Sequence, residues 1–261
     1  MSIKQLLAGI DNRKARINEH HPLTQGEIER LRDEFIIGFT YNSNAIEGNT
    51  MTLSETALVL REGVTIDGKP LKEHMELIGH RDACLYIEEL VREAAPLSEK
   101  TIRDIHSLVL MDRREDRGVY RRVPVTITGT NAELPQPWSI PVEVEKLLAD
   151  YHGEMQNLHP IEKAALFHLR FESIHPFIDG NGRTGRLLMN LELMKEGFPP
   201  IDIKFQDRAR YISCFHEWNA GKGYNSMTEL AGEYMIARLD EYLRILEIAN
   251  DHNLGPEIKM E

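Results

Sequence analysis

Apolar residues recur at three- and four-residue spacing along most of the chain, the period of helices that bury one face. From Thr24 to Ile46 the repeating positions are Leu31, Phe35, Ile36 and Phe39, and Thr24 followed by Glu27 has the form of a capping box. The helical period resumes from Ser54 to Arg61 and from Leu71 to Glu93. It returns after Ser98, which precedes Ile102, Ile105, Leu108 and Leu110. Near residue 120 the period changes. Val123-Pro-Val-Thr-Ile-Thr-Gly129 alternates apolar with polar and runs into a turn-rich stretch ending at Pro141, which predicts a β-hairpin. Helix follows from Val142 to Met155, Ile161 to Ile174 and Arg183 to Lys195, with Gly197, Pro199 and Pro200 as the stop. Helices from Arg208 to Ala220 and from Ser226 to Ile248 complete the pattern, and a polar tail from Asn250 is expected to be loose. The expected architecture is an all-α bundle with one inserted β-hairpin. It divides into an N-terminal helical segment (1–60), a core (61–240) and a helix end with tail (241–261).

Composition narrows the function classes. The apolar share of 41% and charged share of 28% suit a globular chain and argue against disorder or a membrane core. Lys and Arg number 31 against 42 Asp and Glu, a net charge of −11, which disfavours nonspecific nucleic-acid binding. A local basic pocket for one nucleotide remains compatible with it. Cys84 and Cys214 fit no metal spacing and read as free thiols in a reducing compartment. No apolar run reaches the roughly 18 residues a spanning helix needs, and Met1 to His21 has no secretion-signal pattern. A cytoplasmic location is the expectation, with no membrane partner.

One segment concentrates chemistry: His175-Pro-Phe-Ile-Asp-Gly-Asn-Gly-Arg-Thr-Gly-Arg186. Pro176 disfavours helical geometry at the residue before it, so His175 should end the preceding helix. Phe177 and Ile178 plug the loop into the core. Asp179 is a lone carboxylate beside a Gly-Asn-Gly turn that opens directly into the next helix. Glycine-exposed amides at a helix N-terminus bind anions without any side chain. Arg183 and Arg186, three apart, add two guanidinium forks. A base, an oxygen ligand suited to Mg²⁺, an amide nest and two arginines specify phosphoryl chemistry. The run also contains a literal G-x-G-x-x-G, but a dinucleotide fold needs a strand before it, and the run-in here is helical.

The segment resembles the signature of the Fic (filamentation induced by cAMP) family, His-x-Phe-x-[Asp/Glu]-Gly-Asn-Gly-Arg-x-x-Arg, at every fixed position. The likeness extends to His106, to Gly118-Val-Tyr-Arg121 and to the stretch from Tyr211 to Asn219, covering roughly residues 40 to 230. It implies a Fic-type helical bundle whose hairpin, at Thr126, Ile127, Thr128 and Gly129, is a flap that aligns a target peptide by strand addition. It implies transfer of AMP from ATP to a Ser, Thr or Tyr hydroxyl of a target protein. His175 would be the general base, and Asp179 would hold Mg²⁺. Gly180, Asn181, Gly182, Arg183, Thr184, Gly185 and Arg186 would grip the phosphates, and Tyr211 and Asn219 would line the adenosine pocket. Homodimers occur in the family, and apolar residues such as Ile36 and Phe39 could serve either a core or an interface.

A second motif lies upstream. Ser43-Asn-Ala-Ile-Glu47-Gly48 resembles the family's inhibitory motif, [Ser/Thr]-x-x-x-Glu-[Gly/Asn]. Ser43 and Glu47 stand one helical turn apart, and Gly48 is a natural helix stop. Glu47 would pair bidentately with Arg186 and fill the γ-phosphate's place, so the resting enzyme is expected to be mostly off. Removal of AMP from a modified target, with the same glutamate positioning water, is the alternative, as is transfer of another phosphate-containing group. The related Doc toxins transfer phosphate, but their signature departs from Gly-Asn-Gly-Arg. A non-enzymatic binding module would be expected to have lost the base or the Asp.

Overall fold

The computed structural model describes residues 2–19, 25–126 and 133–253, and among them every regular element is helical. In chain order these are α1 (Ile3–Glu19), α2 (Gln25–Ile46), α3 (Leu53–Glu62), α4 (Leu71–Arg92), α5 (Glu99–Val109), α6 (Ile140–His152), α7 (Pro160–Ile174), α8 (Asn181–Lys195), α9 (Arg208–Asn219) and α10 (Asn225–Asn253). Short 3₁₀ turns precede α6 and α9 and follow α6.

The helix starts have identifiable chemistry. Thr52 caps α3 in a capping box, its hydroxyl accepting from the Glu55 N–H while the Glu55 carboxylate accepts from the Thr52 N–H. The Ser98 hydroxyl accepts from the Thr101 N–H at the start of α5. The His159 ring caps α7 through Nδ1, which accepts from the Ile161 N–H. The Thr24–Glu27 box lies outside the described residues.

The fold is organised around α7 and α8, which pack on each other and are wrapped on both sides. Residues of α8 are buried around the whole helix, as expected of one with core on all faces. On one side Phe167, Phe171, Phe177, Leu187, Leu188 and Leu191 meet Phe39 of α2, Ile102 and Ile105 of α5, and Val144 and Leu147 of α6. On the other, Ala165, Leu169, Met189 and Leu193 meet Leu6 and Ile10 of α1, Tyr211 and Cys214 of α9, and Met227, Leu230 and Met235 of α10. The pattern did not predict α1, because its apolar positions thin out after Ile10. It is held by tertiary packing on α10, where a Cβ on Gly232 would come within 2.6 Å of Leu6.

The hairpin is not seen. Among the described residues 121–126 and 133–136 contain no strand, and Thr126 is exposed in irregular backbone. Ile127, Thr128 and Gly129 lie outside the described residues. Two local features oppose a ladder. Pro124 has no N–H to donate, and the Arg121 guanidinium occupies the carbonyls of Val123 (3.2 Å) and Pro135 (2.6 Å). No helix among the described residues is long and apolar enough to cross a membrane.

Candidate active site

His175, the expected base, sits at a strained corner. His175 ends α7 in the left-handed region (φ 48°, ψ 61°), a conformation a non-glycine residue keeps only when its surroundings fix it. Its N–H donates to the Phe171 carbonyl (3.0 Å), and its own carbonyl accepts from Arg121 Nε (2.9 Å). The Arg121 N–H donates to the Pro176 carbonyl (2.9 Å), tying the loop a second time. Phe177 is fully buried and stacks on the His106 ring, with centroids 3.6 Å apart. The Asn181 side chain both donates to the Phe177 carbonyl and accepts from its N–H, each at 2.9 Å. Its side-chain amide is therefore spent on shaping the loop, which leaves the Asn181 backbone N–H as its group for an anion.

His106 carries that shape further. Its Nδ1 accepts from the Gly118 N–H (3.0 Å), which leaves Nε2–H to donate to the Asp179 carbonyl (2.9 Å). Burial lowers its pKa from 6.5 to about 4, the Asp179 carbonyl opposing and Arg183 adding to the shift. Burial and the nearby Arg186 charge push His168 down to about 3. Unfolded, either ring protonates near pH 6.5; folded, His106 resists until about pH 4. The stability is whole above pH 6.5 and is lost as pH falls toward 4, by about 3 kcal/mol for His106. Urea denaturation across that window should show the decline, and His106→Gln should flatten its slope. An equal slope in the variant would contradict the assignment.

The expected anion site falls at the start of α8. Gly180, in the left-handed region at φ 77°, turns the chain into the helix. Its N–H donates to Asp179 Oδ1 (2.6 Å), whereas the next amides are the orphan donors of a helix N-terminus. Arg183 Nη2 also reaches Asp179 Oδ1 (3.2 Å), while Nη1 faces Glu76 (3.3 Å) and Asn44 (3.5 Å). Burial would raise the Asp179 pKa, but Arg183, the Gly180 amide, Arg113 and Lys72 outweigh it and hold the carboxyl below its ordinary value. The outer oxygen of Asp179 faces Arg113 (3.4 Å) and Lys72 (4.0 Å).

Arg186 is buried and multiply held. Its Nε donates to the Ser43 hydroxyl (3.0 Å), Nη2 to the Ser43 carbonyl and to Glu47 Oε1 (both 2.8 Å), and Nη1 to the Tyr211 hydroxyl (3.2 Å). Burial works against its charge, but Tyr211 and Glu47 outweigh it, so its pKa is held above the ordinary value. Glu47 stands just beyond the end of α2, in a turn closed by Glu47 N–H to Asn44 carbonyl and Gly48 N–H to Ala45 carbonyl bonds, each 3.0 Å. Its pairing with Arg186 uses one guanidinium nitrogen rather than the expected two, because Nε is engaged by Ser43. The carboxylate lies directly over the helix start: a Cβ on Gly182 would fall 2.2 Å from Glu47 Oε1.

The remaining expected residues fall around this centre. Tyr211 is buried behind Arg186, and its hydroxyl is 2.8 Å from His168 Nε2. Thr184 is fully buried. Gly185 lets α8 approach α7, since a Cβ there would come within 2.7 Å of both Glu172 and His168. Asn219 is exposed at the end of α9, away from the hydrogen bonds that join the others. Sequence reasoning did not single out Lys72, Glu76 and Arg113. Lys72 and Glu76 had only an i, i+4 charge pair as a signal, and that spacing is common on helix surfaces.

Residues 96–193 match the Fic/DOC family. The Protein adenylyltransferase Fic of Nematostella vectensis is 37% identical over 201 residues, 74% of this chain and 46% of that protein. Its namesake in Drosophila willistoni is 37% identical over 218 residues, 82% of this chain and 43% of that protein. The chain thus spans less than half the length of these curated relatives. Among solved structures, Fic-1 (residues 134–508) of C. elegans superposes with a TM-score of 0.83 at 27% identity, covering 95% of this chain and 73% of that one. A Fic domain containing signaling protein from Bacteroides thetaiotaomicron gives 0.82 at 29%, covering 94% and 97%. The unbroken signature from His175 to Arg186, the helical scaffold that presents it and these relatives agree: the chain carries a domain of the Fic/DOC family over residues 96–193.

Proposed function

We propose that the protein is a protein adenylyltransferase, held off at rest by Glu47, that moves AMP from ATP to a Ser, Thr or Tyr hydroxyl of a target protein. The carrying observation is the Glu47 carboxylate over Gly182 and against Arg186. An anion already rests where an amide nest and a buried guanidinium meet, the place suited to a nucleotide's phosphates. The curated relatives bear the adenylyltransferase name.

In this reading the free amides of Asn181 and Gly182 and the guanidinium of Arg183 hold the α- and β-phosphates, and Arg186 takes the γ-phosphate once Glu47 swings away. Tyr211 acts through Arg186, and Asn219 would line the adenosine pocket only if the nucleotide extends to the end of α9. His175 removes the proton as the target oxygen bonds to the α-phosphorus, and the bond to the β-phosphate oxygen breaks to release diphosphate. Fixed donors aimed at developing charge carry much of such a rate. One ionised carboxylate beside bound phosphates is the donor set Mg²⁺ takes with nucleotides, so Asp179 fits as its ligand. The ion, when bound, neutralises phosphate charge. Residues 126–129 would align the target peptide. The buried thiols of Cys84 and Cys214 suit a reducing cytoplasm. A homodimer is the expected assembly, which light scattering checks.

A second reading has one observation in its favour. The Glu47 side chain is 40% exposed, so it can orient a water toward an AMP-modified side chain and support AMP removal. Incubation with ATP labelled at the α- or γ-phosphate and with AMP-modified protein separates these outcomes. Label from the α position, lost in His175→Ala, supports adenylylation. Label from the γ position means phosphotransfer, and release of AMP alone means the reverse activity.

A further inference from the structure

We infer that Glu172 is a positioning residue for His175, selecting the imidazole tautomer that leaves Nε2 free to take the target hydroxyl's proton. The inference rests on the adenylyltransferase reading and names a part of its machinery outside the signature.

Glu172 lies on the last turn of α7, three residues before His175, and its Oε2 is 3.4 Å from His175 Nδ1. Both side chains are largely enclosed, at 11% and 19% exposure. His175 Nδ1 and Glu172 Oε1 are buried and have no hydrogen-bond partner. The Glu172 carboxylate is therefore the polar group against which Nδ1 is turned. The backbone fixes the ring's origin at both ends, through Phe171 and Arg121, so the ring cannot drift far from the carboxylate. Room for Glu172 is made from the opposite helix, since a Cβ on Gly185 would fall 2.7 Å from its Oε1.

A neutral imidazole carries one proton, and the group facing one nitrogen decides which atom holds it. A carboxylate accepts only, so it draws the proton to Nδ1 and leaves the Nε2 lone pair outward. Contacts of this kind are often long before substrate arrives and tighten on binding. When Nε2 takes the hydroxyl proton, the same carboxylate faces the imidazolium that results.

The test reads the tautomer directly, without substrate, from ¹⁵N–¹H correlations of the full-length chain, with His175 assigned by its loss in His175→Ala. Wild type should carry the proton on Nδ1. Glu172→Met, similar in size but without an acceptor, should move it to Nε2, and Glu172→Gln, which can accept through its amide oxygen, should return it to Nδ1. Thermal melts confirm that each variant folds. In a Glu47→Gly background, Glu172→Met should lower the AMP-transfer rate at saturating ATP roughly 10²-fold, with the KM for ATP unchanged and partial recovery in Glu172→Gln. An Nε2 proton in wild type, or a tautomer unmoved by Glu172→Met, overturns the inference. Absence of AMP transfer from every variant defeats the adenylyltransferase reading instead, and the tautomer still decides the role of Glu172.

Discussion

Replacing Glu47 by Gly should raise AMP transfer to protein roughly 10- to 100-fold while leaving the fold almost as stable as before. The gain follows from what the side chain occupies. One carboxylate oxygen lies 2.8 Å from Arg186 Nη2 and above the Gly182 backbone. Any phosphate oxygen that is to use those donors must first displace it. A hydrogen bond to a charged group is worth about 1.5–3 kcal/mol, which corresponds to that range of rate. The stability cost should be smaller than that of losing Arg186, because water reaches the 40% exposed Glu47 position and Arg186 keeps its bonds to Ser43 and Tyr211. Glu47 is also outside α2, so glycine there interrupts no helix. The measurement is incorporation of α-labelled AMP into the protein itself or a lysate, with ATP binding followed in parallel. Unchanged incorporation in a variant that binds ATP would remove Glu47 from the role of brake.

The parts of this site that were legible in sequence are those where one residue type permits one local geometry. Pro176 ends α7 at His175, and glycines at 180 and 182 admit the turn and the close approach of Glu47. The helical scaffold was legible because apolar spacing reports burial on one face, and only α1, whose stripe is short and whose partner is distant α10, escaped it. Charge neighbours across the fold were not legible. Arg113 and Lys72 reach Asp179 from two different elements, and Glu76 reaches Arg183 from α4. No spacing rule links such positions. The roles of Asn181 and Tyr211 were also hidden, because a motif names a residue without saying which way its side chain turns. Asn181 turns back to Phe177, and Tyr211 stands behind Arg186. The alternation after Val123 meets no strand among the described residues 121–126 and 133–136, where Arg121 takes the Val123 and Pro135 carbonyls that periodicity does not weigh.

Arg186→Ala should have the opposite effect from Glu47→Gly, although both break the same ion pair. The two residues are unequal partners. Arg186 is 2% exposed and donates to the Ser43 hydroxyl, the Ser43 carbonyl and the Tyr211 hydroxyl as well as to Glu47. Truncating it strips those buried groups of their donor and opens a cavity beside α8. Removing one partner from a buried charged network costs about 3–5 kcal/mol, so the melting temperature should fall clearly where Glu47→Gly scarcely moves it. The proposed brake also loses its anchor, yet transfer should drop below the resting wild-type level, because in the proposed function the γ-phosphate depends on this buried guanidinium. Thermal melts and α-label incorporation for both single variants and the double variant decide the matter. If Arg186 were only the lock, Arg186→Ala would label as strongly as Glu47→Gly. If it is also the phosphate grip, the double variant should be as inactive as Arg186→Ala alone, since freeing the site gains nothing once the group that uses it has gone.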